Sequence, residues 1–144
     1  MDENMDMLKE YGNTGKGNRI VLKEETFAII GACMEVHKIL GRSFSEKVYQ
    51  DALEQELKLR GIPFEREKHF LVNYKGVTLA HDFFADFLCY DKVVVELKAV
   101  SELDNENREQ IINYIHAADK QVGLLFNFRT PSLTYERFVN FNLI

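Results

Sequence analysis

Asp82-Phe83-Phe84-Ala85-Asp86-Phe87, followed after a short gap by Val93-Val94-Val95-Glu96-Leu97-Lys98-Ala99-Val100, is the stretch whose reading decides the fold. Both pieces are rich in β-branched and aromatic residues and read as strands. Side chains alternate faces along a strand, so Glu96 and Lys98 share one face and Val95, Leu97 and Ala99 the other. On the first strand Phe84, Asp86 and Leu88 are expected to share a face. The bend falls near Tyr90-Asp91-Lys92. A three-residue loop there pairs Cys89 with Val93 and sets Asp86 opposite Glu96. A two-residue loop at Asp91-Lys92 pairs Phe87 with Glu96 instead, because a one-residue slip flips every side chain. A site at this position therefore requires the three-residue loop or a bulge.

With that register, two carboxylates and a lysine converge on one patch of sheet. Carboxylates about 5 Å apart repel by a few kcal/mol at an effective dielectric near 20. Such a pair calls for a cation, either Lys98 or a divalent metal. Oxygen ligands of this kind suit Mg²⁺ or Mn²⁺. The plain alternative is a surface strand with Glu96 and Lys98 as an ordinary ion pair. Against it, Glu96 lies in an apolar run that reads as buried, and charges are rarely placed in such runs for stability.

The chain has 144 residues, 46% hydrophobic, enough for one domain with a core. No run approaches a membrane span. Met1-Asp2-Glu3-Asn4 has neither a basic region nor an apolar core, so no secretory signal is expected. Cys33 and Cys89 fall inside expected elements, with no CxxC partner and no zinc spacing, and read as reduced core thiols of a cytoplasmic protein. The net charge of −5 argues against a general nucleic-acid coat protein but leaves a nuclease open.

Working outward, residues 1–23 read as a flexible tail with a short strand at Arg19–Leu22, and residues 24–144 as one domain. A helix over Glu24–Leu40 is expected to bury Phe27, Ile30, Met34 and His37, flanked by Ile29, Cys33 and Val36, with Gly41 as its cap. His37 reads as a core histidine. A second helix starts at Ser43 or Ser45, runs to about Arg60, and buries Tyr49, Leu53, Leu57 and Leu59. Ser43-Phe44-Ser45-Glu46 fits a capping box, and Glu46 is alternatively a third acid of the site. A strand over Phe64–Tyr74 follows, with a hairpin turn at Lys75-Gly76 and a strand from Val77 to about Tyr90. Arg66, Lys68 and Lys75 are candidate phosphate contacts. A helix over Asn105–Ala118 carries a stripe of Asn107, Gln110 and Tyr114. Val122–Phe128 reads as a strand buried on both faces, and Tyr135–Leu143 as a final strand.

This order of elements, with an acid, nine residues, then Glu-x-Lys, resembles the PD-(D/E)XK nuclease superfamily, and within it the small bacterial GxxExxY proteins. The residues that carry the resemblance are Val36-His37-Lys38-Ile39-Leu40-Gly41, Glu46-Lys47-Val48-Tyr49, Ala85-Asp86-Phe87, Val95-Glu96-Leu97-Lys98-Ala99-Val100, Gln110 with Tyr114, and Gly123-Leu124-Leu125-Phe126-Asn127-Phe128. The resemblance implies an α/β (α+β) fold with a restriction-endonuclease-like core, a mixed sheet flanked by helices. It implies Asp86 and Glu96 as ligands of Mg²⁺ (or Mn²⁺), Lys98 as the catalytic lysine, Glu46 as an accessory acid and Gln110 as a helix residue facing the site. Phe84 and Asn107 depart from it, standing where an arginine and a histidine are common. The function it implies is a metal-dependent nuclease cutting DNA or RNA. The alternative is a catalytically silent nuclease-fold module that binds nucleic acid or a protein partner. Expected partners are nucleic acid and, as an open option, a second copy of the chain, with no membrane.

Overall fold

A computed structural model describes residues 20–143. The expected tail lies outside the described residues except at its end. Val21 and Leu22 form a turn that packs on the core, and Leu22, at φ 52°, caps the first helix, so the strand expected to close the tail is absent there.

The elements are α1 (Lys23–Leu40), α2 (Glu46–Leu59), β1 (Phe64–Tyr74), β2 (Val77–Cys89), β3 (Val93–Lys98), α3 (Asn105–Ala117), β4 (Val122–Asn127) and β5 (Thr134–Val139). A 3₁₀ turn at Phe141–Leu143 replaces the end of the expected last strand. The five strands form one sheet in chain order. All neighbours run antiparallel except β3 and β4. A parallel pair needs a crossover, which α3 supplies. The result is an α+β mixed sheet with helices on both faces.

Local chemistry explains the joints. Lys75 and Gly76 both take positive φ, 49° and 82°, which suits the tight turn joining β1 to β2. The β2–β3 loop is Tyr90-Asp91-Lys92, with Cys89 opposite Val93 and Phe87 opposite Val95, the register the three-residue reading required. Gly41 closes α1 at φ 76°, its N–H donating to the His37 carbonyl at 2.8 Å.

Alternate residues of the central strands face two cores. Val93, Val95, Leu97 and Leu124 pack under α1 and α2, while Val94, Leu125 and Phe138 pack under Ile111 and Ile115 of α3. Both thiols are free and buried, and burial raises both above the ordinary range, Cys89 to about 12. His37, expected in the core, is half-buried at its margin, with Nε2 bonded to the Thr130 carbonyl (3.0 Å).

Two helix faces differ from expectation. α1 buries Thr26, Ile29, Ala32, Cys33 and Val36, while Phe27 is 78% exposed. The helix carries two adjacent stripes of helical period, and the one with smaller side chains lies on the sheet. In α2, Tyr49, Gln50, Leu53 and Leu57 are buried, whereas Leu59, in the last turn, is 81% exposed. Among the described residues no helix is long and apolar enough to cross a membrane.

Candidate active site

The β2–β3 ladder ends at Phe87–Val95. Beyond it, the two acids replace the missing ladder bonds. The Asp86 N–H donates to Glu96 Oε2 at 2.6 Å, and the Leu97 N–H donates to Asp86 Oδ2 at 2.8 Å. Each carboxylate thus holds the other's strand. Across from Asp86, between the pairs Arg66–Phe87 and Lys68–Ala85, Glu67 takes φ 51°. Strand alternation slips at this point, since Ala85 and Leu88 enter the same core cluster. That corrects the expectation that Phe84, Asp86 and Leu88 share a face. Phe84 is exposed and stacks on His69, ring centroids 4.6 Å apart.

Glu96 is 3% exposed. Burial pushes its carboxyl up to about 8, and the neighbouring Asp86 charge adds to the rise. Burial is also the largest influence on Asp86, raising it to about 6. Lys98 lowers both groups and Glu46 raises both, so the fields of Lys98 and Glu46 meet at the pair. Lys98 itself forms no ion pair within 4 Å among the described residues.

Glu46 reaches the site from the start of α2. Ser45 is the N-cap and Glu46 the first helical residue, so Glu46 sits too early in the helix to close a box on Ser43, and that expectation fails. Its Oε1 accepts from Gln50 Nε2 at 3.4 Å. Gln110 approaches from α3 through an intermediary. Its Nε2 donates to Tyr114 Oη at 3.1 Å. Burial raises the Tyr114 hydroxyl, and the charges of Glu96 and Asp86 raise it further. Asn107, expected on the same stripe, instead closes a capping box with Asp104. Of the expected phosphate contacts, Arg66 is tied to Asp51 (2.7 Å) and Lys68 to Glu65 (3.1 Å). Lys75 lies over the Tyr74 ring at 5.5 Å.

Two residues at this sheet end had no role assigned from sequence. Tyr114 stood on a helix stripe and beside Gln110 in the resemblance, with no chemistry assigned to it. Asn127 is a buried amide that bonds both the N–H (3.1 Å) and the carbonyl (2.8 Å) of Val100. It fastens the chain where it leaves Lys98, while the Phe128 N–H holds the Lys98 carbonyl at 2.8 Å. A lone amide ending an apolar strand was the available signal.

The donor set suits a hard divalent cation in kind. Asp86 Oδ1 and Glu96 Oε1 take no protein hydrogen bond among the described residues. No group of three or more His, Cys, Asp or Glu among those residues is arranged around a metal position. A two-carboxylate site completed by water and substrate oxygens is the arrangement Mg²⁺ commonly accepts.

A solved structure titled "Crystal structure of SSO0001" aligns at 19% identity with a TM-score of 0.49, over 66% of this chain and 50% of that one. The chain therefore spans half the length of that structure. No curated protein matches. A model described as the PD-(D/E)XK nuclease superfamily matches residues 23–138, from the start of α1 into β5. Nucleases of that superfamily usually use divalent metals. By that match, and with its mixed sheet flanked by helices, the chain belongs to the PD-(D/E)XK nuclease superfamily.

Proposed function

We propose that this chain is a divalent-metal-dependent nuclease that hydrolyses phosphodiester bonds of DNA or RNA, and that it falls in the GxxExxY branch of its superfamily. The observation that carries the reading is a pair of acids, the buried Glu96 and the half-buried Asp86, joined through each other's backbone with no cation bonded to them among the described residues. Such a pair is unfavourable when both groups are charged. It gains most from a ligand that neutralises both.

Asp86 and Glu96 would hold Mg²⁺ or Mn²⁺. The bound ion supplies Lewis-acid polarisation and makes a nucleophilic water available near neutral pH. The chain's own residues do the rest. Lys98, its backbone held by the Phe128 N–H and the chain after it by Asn127, offers the positive charge of its amine where negative charge develops on the attacking oxygen and the phosphate. Glu46 adds an acid from the α2 N-terminus and orients water. Gln110 holds the Tyr114 hydroxyl, leaving its O–H free to donate toward the reacting phosphate.

A second reading is a module that binds nucleic acid or a protein without cutting; the engagement of Arg66 and Lys68 with acids and the net charge of −5 favour its protein-binding form. The deciding experiment incubates purified protein with single- and double-stranded DNA and RNA in Mg²⁺, Mn²⁺ or EDTA, beside Lys98→Ala. Cleavage that needs metal and Lys98 is expected. Metal-independent retention without cleavage supports the module. No cleavage and no metal-induced stabilisation on any substrate overturns the nuclease.

A further inference from the structure

We propose that Phe84 and His69 form a stacking plate for an unpaired base, and that the nucleic acid this chain works on is therefore single-stranded, with its neighbouring phosphates held by Arg42 and Arg129. The inference rests on the reading of Asp86 and Glu96 as a nucleic-acid site and names the substrate class of that site.

The plate is a cross-strand pair. His69 of β1 lies opposite Phe84 of β2, and their rings stack with centroids 4.6 Å and planes 19° apart. His69 Nε2 is hydrogen-bonded to Asp82 Oδ2, which braces the imidazole. With one face on His69, Phe84 is still 57% exposed, so its other face is open.

The neighbours fix where the plate points. Phe83 stacks on Tyr114 of α3, and Ala85 lies in the core under α3. Phe84, between them, faces the other side of the sheet, the side of α2. There Lys47, in the first turn of α2, pairs with Glu67 at 3.1 Å, two residues before His69. The plate lies beyond the start of that helix, where both rings are exposed. It is two residues from Asp86, about 7 Å of strand.

Cations lie beyond the acids. At the same end of the sheet β3 ends at Lys98, and β4 runs into Phe128-Arg129. Tyr49 stacks on Phe128 at 4.6 Å, and its hydroxyl donates to the Gly41 carbonyl at 2.6 Å. Those contacts bring the loop carrying Arg42 beside the end of β4. Arg60, Arg66 and Arg108 each hold an acid, and Arg137 donates to Thr26 Oγ1. Arg42 and Arg129 are exposed and hold no acid among the described residues. Guanidinium groups left open in this way suit phosphate oxygens. From β2 to β4 is two strand spacings, about 10 Å, so plate, acids and arginines lie along one short track. A base inside a duplex has both faces covered by its neighbours. Only an unpaired base can lie on a protein ring, and it does so whatever its identity.

The chain has no tryptophan, so Phe84→Trp places a single emitter at the plate. The probes are a DNA strand of about twelve bases, the same strand annealed to its complement, and an abasic strand of equal length, each titrated in EDTA and in Ca²⁺. The single strand should quench the emission and bind at least tenfold more tightly than the duplex. The abasic strand should bind without quenching. Phe84→Ala, followed by the anisotropy of a labelled strand, should weaken single-strand binding about tenfold and leave abasic binding and melting unchanged. That variant decides alone should Phe84→Trp fail to fold. The double change Arg42→Ala with Arg129→Ala should weaken both strands alike. Duplex bound as tightly as single strand, or Phe84→Ala bound as tightly as the parent, overturns the proposal. Emission that follows protein concentration and no added strand also overturns it, and makes the plate a protein contact. Quenching without cleavage in Mg²⁺ supports the plate and refutes only the cutting. Cleavage in Mg²⁺ without quenching overturns the plate and leaves the nuclease standing.

Discussion

Raising the pH of the metal-free protein from about 5 to about 8 should destabilise it, and Glu96 should account for most of the loss. Its carboxyl is raised from 4.5 to about 8, chiefly by burial. Between those values the folded chain retains a proton that the unfolded chain has released. Stability therefore falls as pH rises through the interval. At about 1.4 kcal/mol for each pH unit, the loss comes to roughly 3 kcal/mol. For a domain of this size that is a fall of roughly 10 °C in Tm. Asp86, raised from 3.8 to about 6, adds to the loss in the lower part of the range. Glu96→Gln keeps a carbonyl oxygen for the Asp86 N–H but cannot ionise. It should flatten the profile and melt above the parent at pH 8, by roughly 2–4 kcal/mol. Millimolar Mg²⁺ should restore the parent at pH 8, because a cation binds the ionised pair, and should leave Glu96→Gln nearly unmoved. The assay is thermal melting at four or five pH values, with Mg²⁺ and with EDTA, for both proteins. If parent and Glu96→Gln show the same pH slope, the pair is not strained by charge and the reasoning fails.

Lys98→Ala should cut any cleavage rate by about 10²–10³, and Mg²⁺ should still raise its Tm, since the oxygen ligands remain. Its own melting should stay within about 1 kcal/mol of the parent, because Lys98 holds no ion pair among the described residues; a large loss that Mg²⁺ does not reverse would identify the lysine as structural. Asn127→Ala deletes the bonds to Val100 and should cost about 2–3 kcal/mol by chemical denaturation, with a matching loss of activity in any cleavage assay. Gly123→Ala would set a Cβ 2.9 Å from Ile111 Cγ1 and 3.0 Å from Ile115 Cγ2. Overpacking of that kind costs about 1–3 kcal/mol, and an unchanged denaturation midpoint would show that α3 can shift off the sheet.

Much of the central architecture was legible because its signals are local. The turn at Lys75-Gly76 and the apolar run from Val122 each punctuate a strand clearly, whereas the bend near Tyr90-Asp91-Lys92 allowed two loop lengths, and the structure takes the three-residue one, which fixes the β2–β3 register. What failed depended on choices between near-equal local options. α1 has two apolar stripes side by side, and only the space under the helix selects Thr26 and Ala32 over Phe27 and Met34. Ser43 and Ser45 both read as caps, and the helix took the later one. Period-two reasoning put Phe84 beside Asp86, but it assumes a regular ladder, and this ladder opens at Asp86. Tyr114 lies 28 residues beyond Asp86, so its approach to the acids depends on the crossover geometry. No spacing rule reports that.

The reciprocal bonds between Asp86 and Glu96 bear on how an inactive variant should be made. Alanine at Asp86 orphans the Leu97 amide, and alanine at Glu96 orphans the Asp86 amide. Each deletion therefore frays the strand that presents the other acid. An alanine scan would score both residues as essential whether or not either one touches a substrate. Asparagine and glutamine leave an acceptor for each amide and remove only the charge. At this hairpin the amide substitutions separate chemistry from scaffold, and the alanine substitutions do not.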